Sequence, residues 1–100
     1  MLYLSGFLAY DPDTGGIIEG GIQAETRTTL EGISVALETF GSSMDRVVKC
    51  TVFLADIDEW AAMNEVYTQF FPNKPARTAL GVSGLALGAR VEIECIAVTS

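Results

Sequence analysis

The segment Pro72-Asn73-Lys74-Pro75-Ala76-Arg77-Thr78-Ala79-Leu80 constrains this chain more than any other stretch. Each proline locks its own φ and biases its predecessor away from helix, so the segment ends the helical pattern before it and emerges extended. Arg77 therefore falls at a strand start, a lone guanidinium entering an apolar run. The later stretch Val91-Glu92-Ile93-Glu94-Cys95-Ile96-Ala97-Val98 reads as a buried strand interrupted by carboxylates. An arginine and Glu92 on neighbouring strands make a site suited to a small acid. The plainer alternatives are an ordinary ion pair or two solvated side chains.

One hundred residues at 49% hydrophobic content predict a single domain over 1–100, with one core. No run reaches the ~18 apolar residues of a membrane span, and Met1-Leu2-Tyr3-Leu4-Ser5-Gly6 lacks the basic and hydrophobic regions of a signal peptide. The expectation is a cytoplasmic protein without a membrane partner. Cys50 and Cys95 belong to no paired-cysteine motif, which fits two reduced, inert core thiols better than a disulfide or a metal site. The chain has no histidine, so the commonest metal ligand and general base are absent and serine–histidine and cysteine–histidine catalysis are excluded. Any chemistry must use carboxylates, arginine, hydroxyls and backbone groups, with no metal and no cofactor expected. Thirteen acids against six bases give a net charge of −7, the wrong sign for a nucleic-acid partner.

Local patterns predict the order strand, strand, helix, strand, helix, strand, strand. Leu2–Tyr10 is rich in strand formers, and the turn cluster Asp11-Pro12-Asp13-Thr14-Gly15-Gly16 lets Ile17-Ile18-Glu19 pair back as a loose hairpin. From Ile22 to Phe40, Ile22, Leu30, Ile33, Leu37 and Phe40 fit one helical face, with Gly41 as the terminating residue. Val47–Leu54 alternates as a strand. Asp56 or Asp58 caps a second helix running to Phe71, with Trp60, Met63, Val66, Tyr67, Phe70 and Phe71 in its stripe. Asn64 lies beside Trp60 and Met63, where a buried amide needs a partner and an edge amide faces water. Strands near Thr78–Val82 and Arg90–Val98 complete the chain, the last placing Arg90, Glu92 and Glu94 on one face.

Two helices on one sheet face leave the other face, with Thr51, Phe53, Ile96 and Val98, in search of a cover. A cyclic oligomer that packs these faces together also creates clefts between subunits.

Taken together, these residues resemble the RidA (YjgF) family of reactive-intermediate and imine deaminases over nearly the whole chain. The resemblance is carried by Tyr3-Leu4-Ser5-Gly6, Asp11-Pro12-Asp13-Thr14-Gly15, Gly41–Lys49, Thr51–Asp56, Met63-Asn64-Glu65-Val66-Tyr67, Pro75-Ala76-Arg77-Thr78 and Val91–Val98. It implies an α+β, chorismate-mutase-like fold, a mixed β-sheet with two α-helices packed on one face, assembled as a homotrimer with inter-subunit clefts. It also implies that Arg77 holds the substrate carboxylate and that Glu92 positions the hydrolytic water. Asn64, Ser5, Gly6 and Ala79 then line the cleft. The implied reaction is hydrolysis of small 2-imino acids to 2-keto acids and ammonia.

The resembling proteins usually carry a further stretch in front, with a first strand and a glycine-proline-tyrosine segment whose tyrosine enters the cleft. That strand and pocket wall are expected to lie outside this chain. Ala79 stands where many members have cysteine, and Phe7 where glutamine or threonine is common. The alternative function is a non-catalytic trimeric binder of small carboxylates. A ribonuclease reading is opposed by the acidic composition and absent histidine.

Overall fold

The computed structural model describes residues 1–99; Ser100, the last residue of the expected domain, lies outside them. Its organising element is strand β4, Val47–Leu54, whose period-two pattern buries Cys50, Val52 and Leu54 on one face. Strand β6, Val91–Ala97, runs antiparallel to β4 and buries Val91, Ile93, Cys95 and Ala97 on the same face. Strand β5, Ala76–Gly81, pairs with β4 in parallel, and β1, Leu2–Tyr3, pairs antiparallel with β6. The sheet order is therefore β1-β6-β4-β5. Parallel neighbours require a crossover, which helix α2, Trp60–Phe70, supplies between β4 and β5.

Helix α1, Gly21–Thr39, lies beside α2 and presents Thr26, Thr29, Leu30, Ile33 and Leu37 to the core. Its buried positions follow the helical period that the sequence predicts. Both helices cover the Cys50 face, giving the α+β two-layer fold, and among the described residues no helix is long and apolar enough to cross a membrane. The helix end corrects one expectation. Gly41 takes φ 83°, Ser42 N–H donates to Leu37 O and Gly41 N–H to Glu38 O, which forms a Schellman cap. Phe40 thus sits at the cap, 62% exposed, rather than on the core stripe.

The opening strand is broken rather than continuous. Tyr3 pairs with Ile96 and Phe7 with Ile93, so four steps along one strand match three along the other. The extra residue is a bulge at Ser5-Gly6, beside Glu92. Beyond it, β2 (Tyr10–Asp11) and β3 (Gly16–Ile17) form the expected hairpin as a separate two-stranded sheet, with Asp13 N–H donating to Asp11 Oδ1 in its turn.

The cysteines correct a second expectation. Cys50 and Cys95 are buried as expected, but they are not separate thiols. They face each other across β4 and β6 with Cα atoms 4.2 Å apart and are joined as a disulfide. Sequence spacing carries no register information, and register is what brings them together.

Truncation of Ile33, fully buried where α1 meets the sheet, is expected to cost about 2–5 kcal/mol. Val35→Ala, on the outer face of the same helix, should stay within ~0.5 kcal/mol. Urea unfolding of the two variants checks this, and equal losses would refute the assigned face of α1.

Candidate functional site

Arg77 is aimed by register. Its Cα partner on β4 is Cys50, so the side chain rises on the helix-covered face, next to the crossover helix. There the guanidinium lies 4.6 Å from the Tyr67 ring centroid and 5.1 Å from that of Trp60. Trp60, Asn64 and Tyr67 occur four and three residues apart on α2 and so share the stripe that overhangs β5. Asn64 is half-buried and partnered: its Oδ1 accepts a 2.6 Å hydrogen bond from Arg77 Nη1. Aromatic faces favour the flat, weakly hydrated guanidinium and Asn64 fixes its rotation. Only one of its five N–H donors is committed to another side chain among the described residues. The remaining donors can receive a planar anion through two charge-assisted hydrogen bonds.

This guanidinium lines a cleft of about 430 Å³ together with Asn64, Tyr67, Lys74 and Pro75. The Tyr67 hydroxyl is buried there and has no hydrogen-bond partner among the described residues. Burial pushes its pKa up to about 12, while the positive charge of Arg77 opposes this only partly. The hydroxyl therefore remains a proton donor throughout the physiological range. Ala79, two residues beyond Arg77, shares its face and is half-buried against the core.

Glu92 lies elsewhere. Its partner on β4 is Phe53, which alternates with Val52 and Leu54 and so belongs to the open face of the sheet. Arg77 and Glu92 are thus on opposite faces, on strands separated by β4, which corrects both the expected neighbouring strands and the alternative of a direct ion pair. Gly6 explains how Glu92 is accommodated. A side chain at Gly6 would collide with Glu92 Oε2, so the bulge at Ser5-Gly6 leaves the space that the carboxylate fills. Ser5 and Gly6 are both exposed beside it. Arg90, expected on the same face, is instead held by Glu59, at 2.8 Å, and by Glu25, whose Oε1 accepts the Arg90 backbone N–H.

The structure therefore brings together Arg77, Asn64 and Ala79 in one group, and Glu92, Ser5 and Gly6 in another. Sequence reasoning missed the aromatic seat formed by Trp60 and Tyr67, because a stripe at helical spacing reads as core. The usable signal was the parallel crossover itself, which obliges α2 to overhang β5.

A profile of the family described as Endoribonuclease L-PSP matches residues 1–99. A RutC family protein of Pyrococcus horikoshii is 45% identical over 97 residues, covering 96% of this chain and 77% of its own length. The goat protein named 2-iminobutanoate/2-iminopropanoate deaminase is 45% identical over 98 residues, covering 97% of this chain and 72% of the relative. Among solved structures, Escherichia coli TdcF with bound serine superimposes with a TM-score of 0.88 at 35% identity, covering 98% of this chain and 80% of that one.

Gly6→Ala tests the second group directly. The clash is with the far end of a flexible side chain, so the variant should fold with a loss of no more than ~1 kcal/mol while the Glu92 carboxylate swings away. A carbon-detected NMR spectrum of the Glu92 carboxyl should show a clear shift, and an unchanged resonance would count against the packing described.

Proposed function

The chain belongs to the Endoribonuclease L-PSP family, also called RidA or YjgF, and from that premise we propose that it is an imine deaminase hydrolysing small 2-imino acids to 2-keto acids and ammonia. The observation that carries the reading is Arg77: a guanidinium seated on two aromatic rings, oriented by Asn64 and left with open donors at a cleft. This is an anchor for a carboxylate adjacent to the reacting carbon. The relatives named as 2-iminobutanoate/2-iminopropanoate deaminases support the same chemistry.

In the proposed reaction Arg77 grips the C1 carboxylate and so fixes C2 of the imine. Water adds to C2 as the imine nitrogen takes a proton, giving a tetrahedral carbinolamine. The C–N bond then breaks as nitrogen takes a second proton, and the hydroxyl on C2 loses its proton to leave a keto acid and ammonia. Glu92 is the group proposed to orient the water and pass these protons, a role typically worth ~10² to 10⁴ in rate.

The opposite placement of Arg77 and Glu92 gives this proposal a structural consequence. A cyclic homotrimer that sets edge strand β5 of one copy beside the Gly6–Glu92 side of the next joins the two groups in each inter-subunit cleft. The open sheet face supports such an assembly, since Tyr3, Leu80 and Val98 are 70%, 37% and 40% exposed there. RNA cleavage does not fit: thirteen acids against six bases repel a polyanion, and no histidine is present for proton transfer to a phosphodiester.

The proposal is tested with imines generated in situ, following keto-acid and ammonia release. Arg77→Ala should abolish the acceleration, and Arg77→Lys should restore little of it because an ammonium lacks the bidentate fork. Glu92→Gln should lower kcat by ~10² to 10⁴ while carboxylate binding persists. Full activity in Arg77→Ala would overturn the reading, and binding without turnover by the wild-type trimer would make the protein a carboxylate binder.

Activity is also expected to fall with dilution in step with dissociation of the trimer, followed by mass photometry. A fully active monomer would disprove the shared cleft.

A further inference from the structure

The cleft beside Arg77 contains more positive charge than one carboxylate requires. Lys74 also lines it, and among the described residues Lys74 has no carboxylate partner; the two ion pairs present both belong to Arg90. Arg27, Arg46, Lys49 and Arg77 likewise make no ion pair among the described residues, so what distinguishes Lys74 is its place in this cleft. Its backbone is also unusual. Lys74 adopts φ 49°, a left-handed conformation that a residue with a long side chain rarely takes.

The conformation is enforced from several directions. Lys74 N–H donates to Phe71 O, closing a turn with Pro72 at its second position, and Pro75 restrains the following peptide. Asn73 Nδ2 donates to the carbonyl oxygens of Asp45 and Val47, which ties the turn to the start of β4. The loop that carries Lys74 is therefore anchored rather than free. Tyr67 lines the same cleft; its hydroxyl, in a residue only 4% exposed, has no partner among the described residues and stays protonated because burial holds its pKa at about 12. A buried donor with no acceptor is costly and is relieved by a ligand that supplies one.

We propose that this cleft has a second anion subsite, formed by Lys74 and the Tyr67 hydroxyl, and that the preferred substrates are short dicarboxylic 2-imino acids. The inference rests on the proposed role of Arg77 as the anchor of the C1 carboxylate. Arg77 then holds the carboxylate next to the imine, while Lys74 and Tyr67 receive the side-chain carboxylate at the other end. A cleft of about 430 Å³ has room for both ends of such a molecule.

The test uses the stable keto-acid products as probes, so that it does not depend on turnover. Calorimetric titration of the assembled protein is expected to show 2-oxoglutarate binding about tenfold tighter than 2-oxobutanoate, the margin of one charge-assisted contact. In Lys74→Met, an exposed position whose change should leave the fold intact, the margin should shrink to about twofold with 2-oxobutanoate affinity unchanged. Tyr67→Phe keeps the ring under Arg77 and should remove a smaller part of the margin. Equal affinity of the two probes for the wild type, or a margin that survives Lys74→Met, would overturn the second subsite while leaving the Arg77 anchor intact. Loss of both probes in Arg77→Ala supports the anchor on which the subsite depends. Failure of the wild type to bind 2-oxobutanoate at all would overturn that anchor, and the second subsite with it.

Discussion

The antiparallel pairing of β4 with β6 is the interaction on which the rest of the molecule depends. It aligns Cys50 with Cys95, Val52 with Ile93 and Leu54 with Val91, so that one sheet face becomes a continuous apolar floor for both helices. Because side chains alternate strictly, the same register sends Glu92 and Glu94 to the other face, opposite Phe53 and Thr51. A slip of one residue would bury those carboxylates and expose the core, an exchange far costlier than any local preference can offset. Polar placement here is thus a consequence of apolar burial.

The edge position of β5 extends that logic to Arg77. A parallel strand reached through a crossover helix has helix above it by construction, and an arginine at its start meets whatever that helix presents. Here it meets Trp60, Asn64 and Tyr67, which supply two rings and one oxygen. Neither the rings nor the amide neutralises the guanidinium, so it is held in place while its charge remains available. Of the two rings, Tyr67 already belongs to the packing surface of α2, whereas Trp60 is 36% exposed. Rigidity without neutralisation is what an anion anchor requires.

Much of this architecture is legible in the sequence because it is local. The pattern in Val47–Leu54 gives the bounds of β4 to the residue, although a register shift between Val47 and Lys49 buries Val47 and exposes Val48 against the expected alternation, and the apolar period of α1 gives a helix whose observed limits, Gly21–Thr39, fall one residue from the expected ones at each end. The two prolines stop α2 and start β5 as expected. What local patterns cannot supply is pairing. Nothing in the spacing of Cys50 and Cys95 says that they face one another, and nothing in the spacing of Arg77 and Glu92 says that β4 lies between their strands. Phe40 departs from its expected place for a related reason: its position fits the helical period, but the Schellman cap turns the chain before that period can apply. Lys74 is not legible as a site residue, because its place depends on a left-handed backbone and on the cleft it lines, neither of which composition records.

The bulge at Ser5-Gly6 shows how the two kinds of information meet. As a sequence, Leu2–Tyr10 is a plausible unbroken strand, and regular pairing along β6 would place a side chain opposite every open-face residue. Glu92 disfavours that arrangement, since its carboxylate fills the volume that a Cβ at Gly6 would occupy and would have to swing aside. Inserting one extra residue and removing one side chain keeps Phe7 bonded to Ile93 in both directions while sparing Glu92 the loss of its space. The strand thus gives up a few residues of regular ladder next to a carboxylate, which core packing alone does not require, because that carboxylate points away from the core. A sheet edge that yields its regular ladder beside an outward-facing acid departs from what core packing asks for, and in the proposed reading the use of that acid lies with Arg77 of an adjoining subunit.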